Sequence, residues 1–159
     1  MNEVLRRATA TGDETSVKRL LSREVDVNIP DDSGYSAFMY SCGQGHVGIS
    51  NLMITVGAAN VNDPDSKISP LILATNKCHL DVVQSLIDHG ATVDHRDELN
   101  QTPLLIACEK DYKGCVKALL SAGANPNATD KRGNTGLHHC AVNGNDCIAQ
   151  MLIDHGVNN

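Results

Sequence analysis

The sequence predicts an all-α repeat solenoid, in which pairs of short helices stack side by side. The first observation is a 33-residue period, at which the helix-start signals Ser36, Ser69, Thr102 and Thr135 recur. The second is a set of apolar pairs that keep this interval: Leu20-Leu21, Met53-Ile54, Leu86-Ile87, Leu119-Leu120 and Leu152-Ile153. Because isolated helices shorter than about 12 to 15 residues are marginal in water, their apolar stripes must be covered by neighbouring units. A period sustained along the chain indicates a stacked array.

The most regular unit, residues 102–124, shows how each helix pair is specified. Pro103 at a first helical position and Gly123 after the last one are typical helix start and stop signals. They predict one helix over residues 103–110 and a second over residues 113–121. Apolar residues spaced three and four apart form one face of each helix.

Extended along the chain, the period predicts five repeats in a single domain, residues 1–159. We expect residues 1–28 to form an N-terminal capping repeat, because Arg6 and Arg7 replace residues that are apolar in inner repeats. The inner repeats are 29–61, 62–94 and 95–127, and the C-terminal repeat is 128–159.

Composition restricts the function classes. The chain of 159 residues carries a net charge of −6, which argues against nucleic-acid binding, since that usually needs a basic patch. No apolar run approaches the ~18 residues of a membrane span, and the first residues lack the apolar core of a secretory signal. We therefore expect a cytoplasmic, or also nuclear, monomer that binds neither nucleic acid nor membrane.

Three segments carry a family resemblance: Ser69-Pro70-Leu71, Thr102-Pro103-Leu104 and Thr135-Gly136-Leu137-His138, with Gly-Ala and then Asn or Asp further along the repeats. They closely resemble ankyrin repeats, and the resemblance covers essentially the whole chain. It implies antiparallel helix pairs joined by β-hairpin fingers, with a concave face made of fingers and first helices. It also implies a protein-binding scaffold with no cofactor and no chemistry of its own.

The family register places a partner-binding surface on the finger tips and first helices. The predicted finger-tip residues are Asp32, Ser33, Tyr35, Asp65, Ser66, Ile68, Glu98, Leu99, Gln101, Lys131, Arg132 and Asn134. The first helices add Gln44, Asn76, Lys77, Glu109 and Lys110. Tyr35, Ile68 and Leu99 are apolar where the chain should be solvated, so they are expected to form an interface row. The alternative is that each folds back onto its own finger.

Charge indicates the kind of partner. Residues 29–98 hold nine acids against three bases, whereas both flanks are neutral, so the whole net charge of −6 lies in this segment. We expect a protein or peptide partner with apolar anchors flanked by Lys or Arg. The acids would mainly speed association, and the apolar residues would slow release.

Other functions are weighed against this one. The chain could be an ankyrin interaction segment of a larger enzyme, receptor or regulator. A more distant alternative is a thiol or metal sensor, since the chain has six Cys and a His138-His139-Cys140 triplet with Cys147 further on. Reduced cysteines acting as small buried hydrophobes are the better interpretation. Residues 43–48 match G-x-G-x-x-G, but the register gives them no preceding strand, as a dinucleotide site requires.

Asn28 is a candidate modification site. Leu20 with Asp26-Val27-Asn28 resembles the L-x-x-x-x-x-D-V-N pattern of ankyrin asparagines that a dioxygenase hydroxylates in animal cells. The favoured alternative is that the Asn28 side chain bonds the backbone of the next finger, as turn asparagines commonly do. No constellation of catalytic residues stands out, so we expect a protein that is not an enzyme.

Overall fold

The computed structural model describes residues 1–63 and 67–157, and this part of the chain contains ten α-helices. They divide between two compact units, Met1–Ala91 and Thr92–Asn159. The first unit contains α1 (Asn2–Thr11), α2 (Glu14–Leu21), α3 (Ala37–Gln44), α4 (Val47–Thr55), α5 (Pro70–Asn76) and α6 (Leu80–Asp88). The second contains α7 (Pro103–Glu109), α8 (Lys113–Ser121), α9 (Gly136–Asn143) and α10 (Asp146–Asp154).

Within the first unit the helices form three pairs, and each pair packs on the next. The first helices α1, α3 and α5 contact one another in order, as do the second helices α2, α4 and α6. Leu5, Phe38 and Leu71 lie 33 residues apart, and each is 0 to 1% exposed in the shared core. The equal spacing of these buried residues explains why the period is visible in the sequence.

The second unit repeats this packing with two pairs, in which α7 packs on α9 and α8 on α10. Leu104, Leu119 and Leu152 are at most 2% exposed in its core. The predicted bounds of α8 are confirmed, whereas α7 ends one residue earlier than predicted. An all-helical repeat architecture is therefore present in both units.

Residues with hydroxyl side chains precede the first helices as N-caps, at the positions that the sequence predicted. Ser36, Ser69 and Thr102 each accept a hydrogen bond from the backbone N–H three residues later, at 3.2 to 3.4 Å. Each bond satisfies an N–H group that has no partner inside the helix. Pro70 and Pro103 follow at positions where the missing N–H costs nothing.

The segments between helix pairs form turns, and we call three of them, 31–35, 97–101 and 130–134, the finger turns. No residue in the ranges 1–63 and 67–157 is assigned to a β-strand, so these turns are not shown to be β-hairpins. Within the same ranges, no helix is both long enough and apolar enough to cross a membrane.

Candidate functional site

One aspartate holds each finger turn. In the first unit, Oδ1 of Asp31 accepts hydrogen bonds from the N–H groups of Ser33 at 2.9 Å and Tyr35 at 3.0 Å. In the second unit, Asp97 does the same for Leu99 and Gln101, and Asp130 for Arg132 and Asn134, all at 2.8 to 2.9 Å. Asn and Asp side chains commonly close turns in this way.

The fourth residue of each finger turn has a positive φ, which L side chains rarely adopt. Gly34 and Gly133 have φ of 84° and 79°, and Asn100 has φ of 61°. Asn tolerates this left-handed conformation better than most residues do. The turn geometry places Asp32, Ser33, Glu98, Leu99, Lys131 and Arg132 at the tips, where all six are exposed. The predicted site residues Asp65 and Ser66 lie outside the described residues.

Tyr35 and Ile68 were expected to be solvated, but both are half-buried. The Tyr35 ring lies against that of Tyr40, with ring centroids 5.7 Å apart. A Cβ atom added at Gly34 would lie 3.7 Å from Cδ1 of Ile68, so Ile68 covers that finger turn. Leu99, by contrast, is 60% exposed. Leu99 therefore keeps the exposed apolar role that the sequence predicted, whereas Tyr35 and Ile68 pack on neighbouring residues.

In the second unit, residues of two finger turns and two first helices line a cavity of about 220 Å³. Six of its lining residues belong to the predicted surface: Leu99, Gln101, Glu109, Lys131, Arg132 and Asn134. Gln101 donates from Nε2 to the Glu109 carboxylate at 3.2 Å, which ties one finger turn to α7. Asp130 and His139 complete the lining, although the sequence did not predict them as part of the partner-binding surface.

The side chains of Asp130 and His139 are largely buried in this cavity. Their side chains are 9% and 15% exposed, and His139 Nε2 lies 3.7 Å from Asp130 Oδ2, too far for a hydrogen bond. Within the described ranges, this Nε2 has no hydrogen-bond partner. The backbone N–H of Asn134 is the main reason why the pKa of Asp130 lies below its usual value. A signal for both residues exists in the sequence, since Asp130 aligns with Asp31 and His139 with Tyr40.

In the first unit, Tyr40 occupies the position that corresponds to His139. The Tyr40 hydroxyl donates to Asp31 Oδ2 at 2.8 Å. Hydrogen bonds from the Tyr35 N–H and then from the Tyr40 hydroxyl lower the pKa of Asp31, while the bond to Asp31 raises the pKa of Tyr40. In the second unit, the Asn134 amide Nδ2 donates to Asp130 Oδ2 at 3.2 Å, so Asp130 has an amide donor where Asp31 has a hydroxyl.

The predicted residues of the first helices are exposed near the ends of α3, α5 and α7. Gln44 lies at the end of α3, Asn76 and Lys77 at the end of α5, and Glu109 and Lys110 at the end of α7. Of these five, Glu109 lines the cavity. The Glu109 backbone carbonyl also accepts a hydrogen bond from Asn143 Nδ2 at 2.7 Å, which connects α7 to α9.

The His138-His139-Cys140 triplet does not converge on one point. His138 Nδ1 accepts from the Thr135 N–H at 3.1 Å in a capping box, His139 lines the cavity, and Cys140 is buried. Residues 1–63 and 67–157 contain no group of three His, Cys, Asp or Glu side chains that could hold a metal ion.

Burial also determines the protonation state of two cysteine thiols. It raises the pKa of Cys42 and of Cys108 to about 12. At neutral pH both are therefore protonated, and a protonated thiol is a poor nucleophile and metal ligand. Cys78 and Cys147 are exposed, close to inter-helix turns. None of these observations favours a thiol sensor.

Asn28 makes the bonds that its structural interpretation predicted. Its Nδ2 donates to the Ala58 carbonyl at 3.2 Å, and its Oδ1 accepts from the Asn60 N–H at 2.7 Å. Asn127 donates in the same way to the Gly156 carbonyl at 3.3 Å in the second unit. Asparagine at this register therefore links one repeat to the loop of the next.

Comparison with known proteins agrees with the repeat architecture. A family model described as ankyrin repeats, in three copies, matches residues 5–97 and again residues 94–159. A search of curated proteins found no match to the chain. The two family matches together begin within α1, at residue 5, and extend past the end of α10. The chain therefore belongs to the ankyrin repeat family.

Proposed function

We propose that this chain is a non-catalytic protein-binding module whose contact surface includes the cavity of the second unit. The observation that carries the proposal is the convergence of six predicted surface residues on that one cavity. Ankyrin repeats are generally protein-interaction modules, so the family and the cavity point in the same direction. Their agreement identifies the finger turns 97–101 and 130–134 as the part of the surface to test first.

The size and lining of the cavity favour a side chain over a small-molecule ligand. Its volume of about 220 Å³ is below the range of about 300 to 1,000 Å³ that is usual for ligand pockets. Leu99 offers an apolar contact at the rim, beside charged groups of both signs. An exposed apolar residue with a polar rim is a common arrangement for an anchor contact between proteins.

The partner we propose is a protein or peptide with apolar anchors and flanking Lys or Arg residues. The acidic segment 29–98, with Asp32 and Glu98 exposed at its finger turns, would attract such a partner over distance. We further propose that residues 1–159 act as one domain and that the fingers of this domain are β-hairpins. We also propose that the chain is a monomer and that it is located in the cytoplasm or the nucleus.

The decisive experiment combines affinity capture with one substitution. Leu99→Ala removes the exposed apolar contact, and we expect it to weaken binding of a captured partner about tenfold or more, as at other anchor residues. Partners would be captured from the native cell lysate, identified by mass spectrometry and titrated by calorimetry against the purified chain. The fold should be unchanged, because the side chain is 60% exposed.

A matched control is available in the first unit. Val56 at the end of α4 is 63% exposed, so Val56→Ala removes a similar apolar area away from the finger turns. Binding should survive this change. Equal affinity of both variants for the captured partner would move the binding surface off the finger turns.

Hydroxylation of Asn28 stays a hypothesis that rests on its sequence pattern. The side chain already has a structural use, because it bonds the Ala58 carbonyl and the Asn60 N–H. Those bonds occupy the amide without any modification, which favours the structural interpretation. Peptide mapping of protein from its own cells, with no added oxygen on Asn28, would remove the hypothesis.

A further inference from the structure

We propose that the cavity of the second unit is a receptor for one tyrosine side chain of the partner, whose hydroxyl binds Asp130 beside His139. The proposal rests on the proposed function, since it names the anchor residue that enters the cavity. The cavity lies entirely within the second unit, between its two finger turns.

The last repeat has smaller residues at two positions where the repeat that begins at residue 29 has tyrosines. In the repeat that begins at residue 29, Tyr35 and Tyr40 place two aromatic rings beside the finger turn. Asn134 and His139 occupy the corresponding positions in the last repeat, and both are smaller than tyrosine. Both also line the cavity. The space that tyrosine rings fill in one repeat is therefore left open in the other.

Asp130 and His139 form what we call the floor of the cavity, and its hydrogen bonds differ from those of the earlier repeat. Asp31 Oδ2 accepts from the Tyr40 hydroxyl at 2.8 Å, whereas Asp130 Oδ2 accepts from Asn134 Nδ2 at 3.2 Å and lies 3.7 Å from His139 Nε2. A carboxylate oxygen has two lone pairs, so Asp130 Oδ2 can accept from a second donor. That Nε2 has no hydrogen-bond partner in the described part of the chain, although it is buried. A phenol hydroxyl has one donor hydrogen and acceptor lone pairs. It can donate to the carboxylate, as Tyr40 does, and accept from the imidazole N–H.

The other residues that line the cavity favour the binding of a neutral aromatic ring. Leu99 gives the ring an apolar contact, and Lys131 and Arg132 offer cations to its face. The same two cations disfavour an arginine or lysine anchor. Glu109 and Asp130 disfavour a phosphotyrosine, because the phosphate would be brought close to two carboxylates. A phenylalanine ring would fill the space but leave the floor without its hydroxyl.

The test is an NMR titration of the full chain with four probes: the N-acetyl amides of tyrosine, phenylalanine, arginine and phosphotyrosine. We expect the tyrosine probe to shift the amide signals of the cavity residues, with millimolar affinity. The phenylalanine probe should bind about tenfold more weakly, since it lacks a hydrogen bond to a charged group. Equal binding of these two probes, tighter binding of the arginine or phosphotyrosine probe, or no shift at the cavity would overturn the proposal.

A substitution in the cavity provides a second test of tyrosine binding. His139→Tyr restores the tyrosine of the earlier repeat, so its own hydroxyl should bind Asp130 and close the cavity. We expect this variant to remain folded and to bind the tyrosine probe at least about tenfold more weakly, since the hydroxyl site is taken. Unchanged probe binding by a folded His139→Tyr variant would contradict the proposal. Leu99→Ala provides a second variant, which should weaken probe binding without touching the floor.

The two proposals can fail separately. If Leu99→Ala abolishes binding of a captured partner while no tyrosine probe shifts the cavity residues, the binding function stands and the tyrosine proposal is wrong. If the probe binds but no captured partner depends on Leu99, the chemistry of the cavity stands and its use as a protein-binding surface is wrong.

Discussion

Single residues decide how each finger turn is held and what it presents. The Asp31 carboxylate binds two backbone N–H groups of its own turn and one tyrosine hydroxyl. The Asp130 carboxylate binds its own turn in the same way, but His139 stands where the earlier repeat has the tyrosine. Two changed residues, Asn134 for Tyr35 and His139 for Tyr40, thus distinguish the surroundings of Asp130 from those of Asp31.

The Tyr40→Phe substitution isolates the contribution of that hydroxyl. The Tyr35 N–H is the largest cause of the lowered pKa of Asp31, and the Tyr40 hydroxyl is the second. We therefore expect the pKa of Asp31 to rise in the variant but to stay below its usual value. NMR titration of the carboxyl carbon measures this shift, and the pKa of Asp130 in the other unit serves as the unchanged control.

The sign of the accompanying stability change follows from linkage. Since the pKa of Asp31 is lower in the folded chain, its contribution to stability is full above the ordinary value and is lost as the pH falls through the folded value. Tyr40→Phe should therefore reduce the loss of unfolding free energy on acidification from about pH 5 to about pH 2. An unchanged acid dependence in urea unfolding would show that the hydroxyl does not stabilise the carboxylate.

Whole helices depend on their neighbours, because each has ten or fewer residues. In α7, Leu104, Ala107 and Cys108 are at most 2% exposed, since α8 and α9 cover them. Leu137 holds the register of Leu104 in α9 but is only half-buried. The same residue type at the same position therefore has a different burial in two consecutive repeats.

Leu104→Ala should cost about 2 to 5 kcal/mol of unfolding free energy, through lost burial and the cavity left behind. Leu137→Ala, its matched control, should cost less, about 1 to 2 kcal/mol, because less of its surface is removed from water. Urea unfolding followed by circular dichroism measures both. A loss at Leu137 as large as that at Leu104 would mean that burial does not set the cost.

Across the whole molecule, charge is unevenly distributed. The net charge of −6 lies within residues 29–98, whereas residues 1–28 and 99–159 are each neutral. Such a segment influences the rate of encounter with a basic partner more than the lifetime of the complex. The residues that line the cavity all lie after this segment, which ends at the finger-turn residue Glu98, so steering and anchoring depend on different residues.

Raising the ionic strength from about 0.01 M to about 0.15 M shortens the screening length from about 30 Å to about 8 Å. We expect the association rate with the captured partner to fall several-fold and the dissociation rate to change little. The double variant Asp32→Asn, Glu98→Gln should show a weaker salt dependence in stopped-flow measurements. Asp154→Asn, in a neutral flank, is its control, and an equal effect of both would exclude steering by the acidic segment.

The repeat architecture could be predicted from the linear sequence. The 33-residue period is visible as residue types that recur at equal intervals. Residues close together in the chain determine the bounds of α8 and the capping hydrogen bonds of Ser36, Ser69 and Thr102. These features depend on local hydrogen bonds and on side chains that recur at equal intervals, so they can be recognised in a linear pattern.

Which predicted surface residues come together was determined by tertiary packing. Tyr35 and Ile68 are half-buried, Leu99 is exposed, and Asp130 and His139 complete a cavity. These properties depend on how completely the side chains of one repeat fill the space beside the next. A repeat pattern reports which positions correspond, but the volume left open at each depends on contacts between residues far apart in the chain.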